Sequence, residues 1–257
     1  MCLTKIKNYG DISLIIYRKK IRFNYICLNP LVKKELGMQP MYKKLLQLPL
    51  FQGLSQKELT EIIEKVVFQF ASKQADILLA QQGQDCNSLF YILDGKISKK
   101  TISSDKTYIV EQVLEAPSII EPQSLFGKDT EYQSSYTSLS PIDIITIDKR
   151  FVLADLMNYP IFELNYINIL SCISQNQYKL LWNHKTCNEL ADRFKCFIRQ
   201  RTEPTCSEIT LHITMKDLAF QLNDTRLNVS RMLNMLEEQS KVCLKRKIVQ
   251  IKNLELL

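Results

Sequence analysis

The sequence has 257 residues, which is enough for two ordinary domains whose cores need neither disulfides nor metals. Its composition, 46% hydrophobic and 24% charged, is typical of a globular protein and excludes an intrinsically disordered chain. The net charge of +7 suggests a nucleic-acid or membrane-surface partner, but it is unevenly spread, with +6 in residues 1–40, −3 in residues 41–183 and +4 in residues 184–257.

The glycines, histidines and cysteines exclude several kinds of site. No two of the six glycines have the spacing of a phosphate-binding loop, and His184 and His212 are too few for a His-rich metal site. The eight cysteines form no Cys-x-x-Cys pair, which predicts reduced thiols in a cytoplasmic protein. We predict no enzyme, because the sequence contains neither a nucleophile elbow nor a metal pair.

The first forty residues show no sustained periodicity. Their apolar run, residues 12–17, is far shorter than the roughly 18–20 residues of a membrane span and is followed at once by basic residues. We therefore expect a cytoplasmic location and no membrane partner. Residues 1–40 are interpreted as a basic extension, and the folded part would begin at Met41. A start codon assigned too far upstream would also account for these forty residues.

Residues 41–157 predict a helical lead-in followed by a β-rich domain. Ser55, with Glu58 three residues later, predicts a capping box and a helix through about Val67. From about residue 68 to residue 148, short β-rich runs alternate with turn residues, a pattern typical of a sandwich or barrel. The Asp94-Gly95 pair between two such runs predicts a hairpin.

After Pro160 the periodicity returns to that of a helix. Six residues have the heptad spacing of a two-helix contact: Phe162, Tyr166, Ile169, Ile173, Asn176 and Leu180. A polar residue such as Asn176 can fix the register of a parallel helix pair, so this stripe predicts a homodimer helix. A second stripe would then pack on the barrel: Leu164, Ile167, Leu170 and Leu181. The alternative is that the first stripe packs within one protomer as an ordinary core helix.

Residues 214–251 predict a winged helix-turn-helix. Thr214 and Thr225 are suited to cap two successive helices, and Asn223 can take the left-handed position between them. The predicted inward residues are Leu218, Ala219, Leu222, Val229, Leu233 and Leu236. The outward residues near the start of the second helix are Arg226, Leu227, Asn228, Ser230 and Arg231. A hairpin follows at residues 242–251, with Lys245, Arg246 and Lys247 at its turn.

These features resemble the Crp/Fnr family of bacterial transcription regulators, in particular the type common in Bacteroidetes, over residues 41–257. The matching strings are LFQGLS at residues 50–55, GQDCNSLFYILDGKI at 83–97, PSIIEPQSLFG at 117–127 and TRLNVSRML at 225–233. The resemblance implies an α+β fold: an N-terminal double-stranded β-helix (a jelly-roll-like barrel similar to cyclic-nucleotide-binding domains), a long dimerisation helix and a C-terminal winged helix-turn-helix. The implied segments after the extension are residues 41–157 for the sensor barrel, 158–186 for the dimerisation helix and hinge, and 187–257 for the DNA-binding domain.

The resemblance also implies partners and contacts. The partners would be double-stranded DNA with an inverted-repeat operator, a second copy of the chain, and RNA polymerase. Base contacts are implied for Arg226, Leu227, Asn228 and Arg231, and phosphate contacts for Thr214, Thr225, Ser230, Lys245, Arg246 and Lys247. Arginine suits the O6 and N7 acceptors of guanine, which favours Arg231 as a base reader. Leu227 replaces a glutamate that many members use to read cytosine, and it would favour a thymine methyl group.

No cofactor is predicted, and the signal stays open. Family members that bind cyclic AMP use a Phe-Gly-Glu motif and an Arg-Ser pair, whereas this chain has Phe126-Gly127-Lys128 and no arginine in residues 23–149. We therefore expect no cyclic AMP binding in the usual manner. Cys2, Cys27 and Cys86 are too dispersed for an iron–sulfur cluster. Haem is an open alternative, although both histidines are interpreted as structural.

A rival hypothesis is a dimeric interaction module that keeps the barrel and no longer binds DNA. The retained Arg226, Arg231 and basic hairpin turn favour the regulator. The two hypotheses differ in whether the chain has a salt-dependent affinity for DNA.

Overall fold

The computed structural model of the chain describes residues 44–182, 189–203 and 206–252. The predicted extension, Met41, His184, Cys2 and Cys27 lie outside these ranges, as does the end of the predicted hinge. The described part is a mixed α+β fold with a barrel-like core of antiparallel sheets. Within the same ranges, no helix is both long enough and apolar enough to cross a membrane.

A capped helix leads into the barrel. The Ser55 hydroxyl accepts a hydrogen bond from the Glu58 backbone N–H at 3.3 Å, and the Glu58 carboxylate accepts one from the Ser55 N–H at 2.8 Å. The predicted capping box is therefore confirmed, and hydrogen bonds from Ser55 lower the pKa of Glu58. Helix α1 spans Gln56–Lys65 and ends before the predicted Val67, because Val66 already has an extended backbone.

Eight short strands form the barrel. They are β1 (Phe68–Lys73), β2 (Leu78–Ala80), β3 (Ser88–Asp94), β4 (Lys96–Ile102), β5 (Tyr108–Glu115), β6 (Ser118–Ile120), β7 (Ser135–Ser138) and β8 (Ile142–Asp148). One sheet has the order β1-β8-β3-β6, and the second contains β5-β4-β7-β2. All the pairs are antiparallel, so the sandwich-or-barrel prediction from short strands and turns is confirmed at this level.

The turn at Asp94 and Gly95 does not form a hairpin. Strand β3 pairs with β8 and β6, while β4 pairs with β5 and β7, so the hairpin prediction is wrong and the turn carries the chain between sheets. Gly95 has a φ of +95°, and a Cβ atom there would lie 2.4 Å from the carbonyl oxygen of Pro141. Only glycine fits at this crossing.

Two helices follow the barrel, α2 (Lys149–Ala154) and the long α3 (Pro160–Trp182). The first turns of α3 pack on the barrel through buried Phe162 and Tyr166. The ring centroids of Phe51 and Phe162 are 5.3 Å apart in an edge-on arrangement. The Tyr166 hydroxyl donates a hydrogen bond to the Pro122 carbonyl oxygen at 2.6 Å. This end of α3 is therefore part of the core of the protomer.

The C-terminal part has its own apolar core. Its elements are α4 (Leu190–Arg199), β9 (Glu208–Ile213), α5 (Met215–Gln221), α6 (Arg226–Glu238), β10 (Val242–Lys245) and β11 (Ile248–Ile251). We call α5 and α6 the helix pair, and β10 and β11 the hairpin. Phe194 of α4, Leu211 of β9, Leu233 of α6 and Val249 of the hairpin are buried in one cluster. This shared core fixes the helix pair against the hairpin.

Strand β9 joins the C-terminal part to the barrel. It pairs with β5 over six residue pairs, from Tyr108 opposite Ile213 to Val113 opposite Glu208, and with β11 on its other side. The result is one seven-stranded sheet with the order β10-β11-β9-β5-β4-β7-β2. Val110 of β5 is buried within the C-terminal apolar cluster. The segments predicted as sensor and DNA-binding domains therefore share a sheet, which the sequence did not predict.

Side chains reinforce this shared sheet, which we call the β5–β9 joint. The Arg201 Nε atom donates a hydrogen bond to the Tyr108 hydroxyl at 2.8 Å. The Gln112 amide donates to the Arg201 carbonyl at 3.2 Å and accepts from the Glu203 N–H at 2.7 Å. Lys99 of β4 lies 2.6 Å from the Glu203 carboxylate. The contact between the two parts therefore combines main-chain, polar and apolar interactions.

Candidate nucleic-acid interface

Two threonines begin the helices of the helix pair. The Thr214 hydroxyl accepts a hydrogen bond from the Asp217 N–H at 3.1 Å, and the Thr225 hydroxyl accepts one from the Asn228 N–H at 3.2 Å. Both helix caps were predicted and are confirmed. Asn223 has a φ of +50°, the left-handed conformation predicted for the turn, which asparagine adopts more readily than most residues.

The buried face of the helix pair decides which side chains face solvent. All of the predicted inward residues are buried: Leu218, Ala219, Leu222, Val229, Leu233 and Leu236. At about 100° per residue, burial of Val229 and Leu233 turns Leu227 and Arg231 outward, whereas Arg226 is the first residue of α6. These three are exposed, and Leu227 keeps 59% of its surface open to solvent. Asn228 is also exposed, whereas Ser230 is half-buried.

The hairpin turn lies beside this exposed helix face. Lys245, Arg246 and Lys247 are all exposed, and Lys247 adopts a left-handed φ of +62°. A cleft of about 220 Å³ separates the hairpin from the helix pair. Its lining includes Thr214, Arg226, Lys245 and Lys247. The structure therefore brings together residues predicted separately from the helix pair and from the hairpin.

The charged side chains at this surface are available to a partner. Within the described ranges, no hydrogen bond or ion pair holds the side chains of Arg226, Arg231, Lys245, Arg246 or Lys247. The hydroxyl of Thr214, by contrast, donates to the Asp217 carboxylate at 2.5 Å. A phosphate contact by Thr214 would have to replace that hydrogen bond, so its predicted role has less support from the geometry than those of the basic residues.

Two polar residues near the turn were missed by the sequence analysis. Arg193 of α4 hydrogen-bonds both main-chain carbonyls of the turn and the Asp224 carboxylate. Asp224 in turn accepts a hydrogen bond from the side chain of Asn228 at 2.8 Å. Nothing in the local spacing could have linked Arg193 to a turn about thirty residues away. The only sequence signal was an acidic residue directly before the Thr225 cap.

The predicted dimer seam is wrong at its N-terminal end. Phe162 and Tyr166 are buried against the barrel of their own protomer, so they cannot line a contact between protomers. Their aromatic rings have the most apolar area to bury, and the barrel offers an aromatic pocket for them. Farther along α3, Ile169, Ile173 and Leu180 are half-buried and Asn176 is exposed. The first two turns of α3 therefore pack within one protomer, as the alternative prediction for this stripe stated.

Three of the four residues predicted to pack on the barrel instead face solvent, and the fourth, Leu170, is half-buried. Leu164, Ile167 and Leu181 have exposed fractions of 36%, 50% and 64%. With Ser171, Ser174 and Tyr178 they form a row at heptad spacing, which we call the outer row of α3. A shallow groove of about 390 Å³ lies at its middle, lined by Leu170, Ser171, Ser174 and Gln175. Small residues there would let a second helix approach closely.

The interior of the barrel contains a buried acid that the sequence analysis overlooked. Glu121 follows β6 in a left-handed conformation and is only 4% exposed. Its carboxylate accepts hydrogen bonds from the Gln133 N–H at 2.7 Å and the Tyr136 hydroxyl at 3.0 Å. Burial raises the pKa of Tyr136, so this phenol keeps its proton for the contact. Lys128, which stands at the position of the glutamate in the Phe-Gly-Glu motif, is exposed in a loop.

The candidate metal ligands among the described residues do not come together as a metal site. Within the described part of the chain, no group of three or more His, Cys, Asp or Glu side chains could hold a metal ion. Cys86 is buried, and burial raises the pKa of its thiol. His212 lies in β9 with its Nε2 atom 3.5 Å from the Glu111 carboxylate. The described contacts of His212 are consistent with the structural role expected for it.

The chain matches no protein-family model and no curated protein sequence. It is similar to solved structures, among them the catabolite activator protein of Thermus thermophilus, at 21% identity, 81% coverage of this chain, 96% coverage of that chain and a TM-score of 0.45. DNR from Pseudomonas aeruginosa is 15% identical over 86% of this chain and 99% of its own, with a TM-score of 0.41. CooA from Carboxydothermus hydrogenoformans, a CO-dependent transcription factor, is 19% identical over 80% of this chain and 93% of its own, with a TM-score of 0.38. These proteins are regulators of the CAP/Crp/Fnr family, the family that the sequence motifs of this chain resemble.

Proposed function

We propose that the chain is a sequence-specific DNA-binding transcription regulator of the Crp/Fnr type. The C-terminal part acts as a winged helix-turn-helix, with α6 as the recognition helix and the hairpin as the wing. The protein works in the cytoplasm as a homodimer on an inverted-repeat operator, and RNA polymerase is the further partner that the family resemblance implies.

One observation carries this proposal. Arg226 of α6 and two residues of the hairpin turn, Lys245 and Lys247, line one cleft, and Arg231 is exposed farther along the same helix. No hydrogen bond or ion pair holds these side chains among the described residues. Arginines on a helix suit base edges in the major groove, whereas lysines at a neighbouring turn suit the phosphates that flank it. A merely solvated helix face would have no reason to adjoin a capped turn and a basic hairpin.

The dimer in this proposal is formed through the outer row of α3. Leu164, Ile167, Tyr178 and Leu181 repeat at the spacing of a helix–helix seam and are exposed in the protomer. We expect Ile167→Glu to shift the protein from dimer to monomer, because two carboxylates would face each other in an apolar seam. Analytical ultracentrifugation of the full chain measures the change.

Asn176→Glu is the matched control for this prediction. Asn176 lies on nearly the opposite side of α3 from the outer row, within the stripe first predicted to be the seam. It is exposed, so the substitution should leave the dimer intact. If Asn176→Glu dissociated the protein and Ile167→Glu did not, the seam would follow the original stripe.

The signal proposed for the barrel is not cyclic AMP. The buried carboxylate of Glu121 already accepts hydrogen bonds from Ser124, Gln133 and Tyr136, so three of its roughly four acceptor sites are used within the protein. The absence of arginine from residues 23–149 also leaves a cyclic phosphate without a bidentate partner. Calorimetric binding of cyclic AMP at micromolar concentration would contradict this part of the proposal.

The test of the proposed function is selection of a binding site from random DNA, followed by affinity measurements over a range of salt concentrations. The double variant Lys245→Gln, Lys247→Gln should reduce the magnitude of the slope of log affinity against log salt by about 4, because each of the two protomers loses two phosphate contacts at roughly one unit per contact. Base preference should stay the same. Fluorescence anisotropy with the selected duplex, and with single-base-pair variants of it, measures the salt slope and the base preference.

The matched control removes two exposed lysines from the barrel, Lys73 and Lys100, by the same substitution. These two substitutions should leave the salt slope unchanged if the hairpin supplies the phosphate contacts. A protein that selects no sequence and shows no salt-dependent affinity for DNA would instead be the dimeric interaction module.

A further inference from the structure

Arg193 connects α4 to the turn of the helix pair. Its Nη1 atom donates hydrogen bonds to the carbonyl oxygens of Leu222 at 2.9 Å and Asn223 at 3.1 Å. Its Nη2 atom donates to the Asp224 carboxylate at 2.5 Å. The side chains of Arg193 and Asp224 keep 30% and 16% of their surfaces exposed, so the contact is largely shielded from water. One guanidinium therefore fixes three consecutive residues of the turn.

Asp224 connects Arg193 to the start of α6 through hydrogen bonds. Its other carboxylate oxygen accepts hydrogen bonds from the Thr225 N–H at 2.7 Å and from the Asn228 side-chain amide at 2.8 Å. The hydrogen bonds from Asn228 and Thr225, together with Arg193, lower the pKa of Asp224. An ionised carboxylate can only accept hydrogen bonds, so the nitrogen and not the oxygen of the Asn228 amide must face it.

We infer that Arg193, acting through Asp224, is a positioning residue that holds the Asn228 amide in one orientation for reading a base. The inference rests on the proposed function. With one N–H committed to Asp224, the Asn228 amide keeps one N–H and its carbonyl oxygen for a partner. That donor and acceptor are the pair that asparagine presents to the N7 and N6 groups of adenine. Because the side chain is already held in this orientation, binding to DNA does not cost the conformational entropy of ordering it.

The test compares base preferences and not only affinities. In the full chain, Arg193→Lys keeps the charge but loses the fork that reaches both the carbonyls and the carboxylate. We expect discrimination to fall about tenfold at the one base pair whose preference is lost in Asn228→Ala, since a bidentate side-chain contact supplies discrimination of that order. Preferences at the other positions should not change. Selection from random DNA, sequenced for each variant, gives these values.

Two further variants separate positioning from folding. Adding Arg193→Lys to Asn228→Ala should cause no further loss of base preference, because the residue through which Arg193 acts is absent. Asp224→Ser removes the carboxylate without replacing Arg193 and should change preference at the same base pair. Arg199→Lys, an exposed position on the same helix, is the matched control. Thermal unfolding of each variant shows whether it is folded.

The outcomes are distinct. If Arg193→Lys and Asp224→Ser weaken binding to all sequences equally and leave base preference intact, Arg193 only stabilises the turn and the inference is wrong. A wild-type protein without any sequence preference contradicts the proposed function, and the inference with it. Loss of preference at the Asn228 position alone, absent in the Arg199 control, supports the inference.

Discussion

Phe162→Ala should lower the free energy of unfolding of the protomer by about 3–5 kcal/mol, the usual cost of deleting a buried phenyl group. Phe162 is fully buried, and its ring packs edge-on against Phe51 and beside Tyr166 at the base of α3. Alanine would leave a cavity between the helix and the barrel that neither can close without moving. Urea denaturation followed by circular dichroism measures the loss at a fixed protein concentration.

Leu153→Ala is the control for this measurement. Leu153 is another large apolar residue of a nearby helix, but it is 64% exposed, so its removal should change stability by less than about 0.5 kcal/mol. If Phe162 formed a dimer seam, the loss caused by its removal would depend strongly on protein concentration. A loss below about 1 kcal/mol, or one that vanished at high concentration, would contradict the burial of Phe162 within the protomer.

Arg231→Ala should weaken binding by about 1–3 kcal/mol for each half-site of the selected operator, or roughly 5- to 150-fold per half-site, and should relax base preference at one position of each half-site. Arg231 is exposed on α6 one turn beyond Leu227, and no internal partner holds its guanidinium among the described residues. Its substitution therefore removes a contact to DNA without unpairing a group inside the protein. Site selection and anisotropy on the same variant separate the two effects.

Arg246→Ala serves as the comparison for Arg231→Ala. Arg246 lies at the hairpin turn, where loss of a phosphate contact from each protomer would weaken binding to all sequences alike and reduce the magnitude of the salt slope by about 2. Base preference should survive that substitution. If Arg231→Ala behaved like Arg246→Ala, with affinity reduced and preference unchanged, Arg231 would contact the DNA backbone and not a base.

Local features of the fold could be predicted because their signals lie within a few residues. The Ser55 capping box, the Thr214 and Thr225 caps and the left-handed Asn223 each depend on contacts three or four residues apart. The inward face of the helix pair follows from helical periodicity alone. Four of the five residues predicted to face outward on α6 are exposed or half-buried for the same reason, whereas Arg226 is exposed as the first residue of the helix.

Features that depend on distant partners could not be predicted. The Asp94-Gly95 turn was recognised, but β3, which precedes it, pairs with the distant strand β8, and β4, which follows it, pairs with the next strand, β5. The predicted dimer stripe and the outer row of α3 both have heptad spacing, and only the aromatic contacts of Phe162 and Tyr166 decide which one is buried. Arg193 is likewise connected to Asn228 by tertiary packing and not by sequence spacing.

The β5–β9 joint sets a thermodynamic condition on any signal sensed in the barrel. Separation of the C-terminal part from the barrel breaks the six-pair ladder, in which each main-chain hydrogen bond contributes about 0.5–1.5 kcal/mol, together with the Lys99–Glu203 ion pair. A ligand can shift this equilibrium only by the difference between its affinities for the joined and the separated states. A ligand that binds both states equally leaves α6 where it is, however tightly it binds.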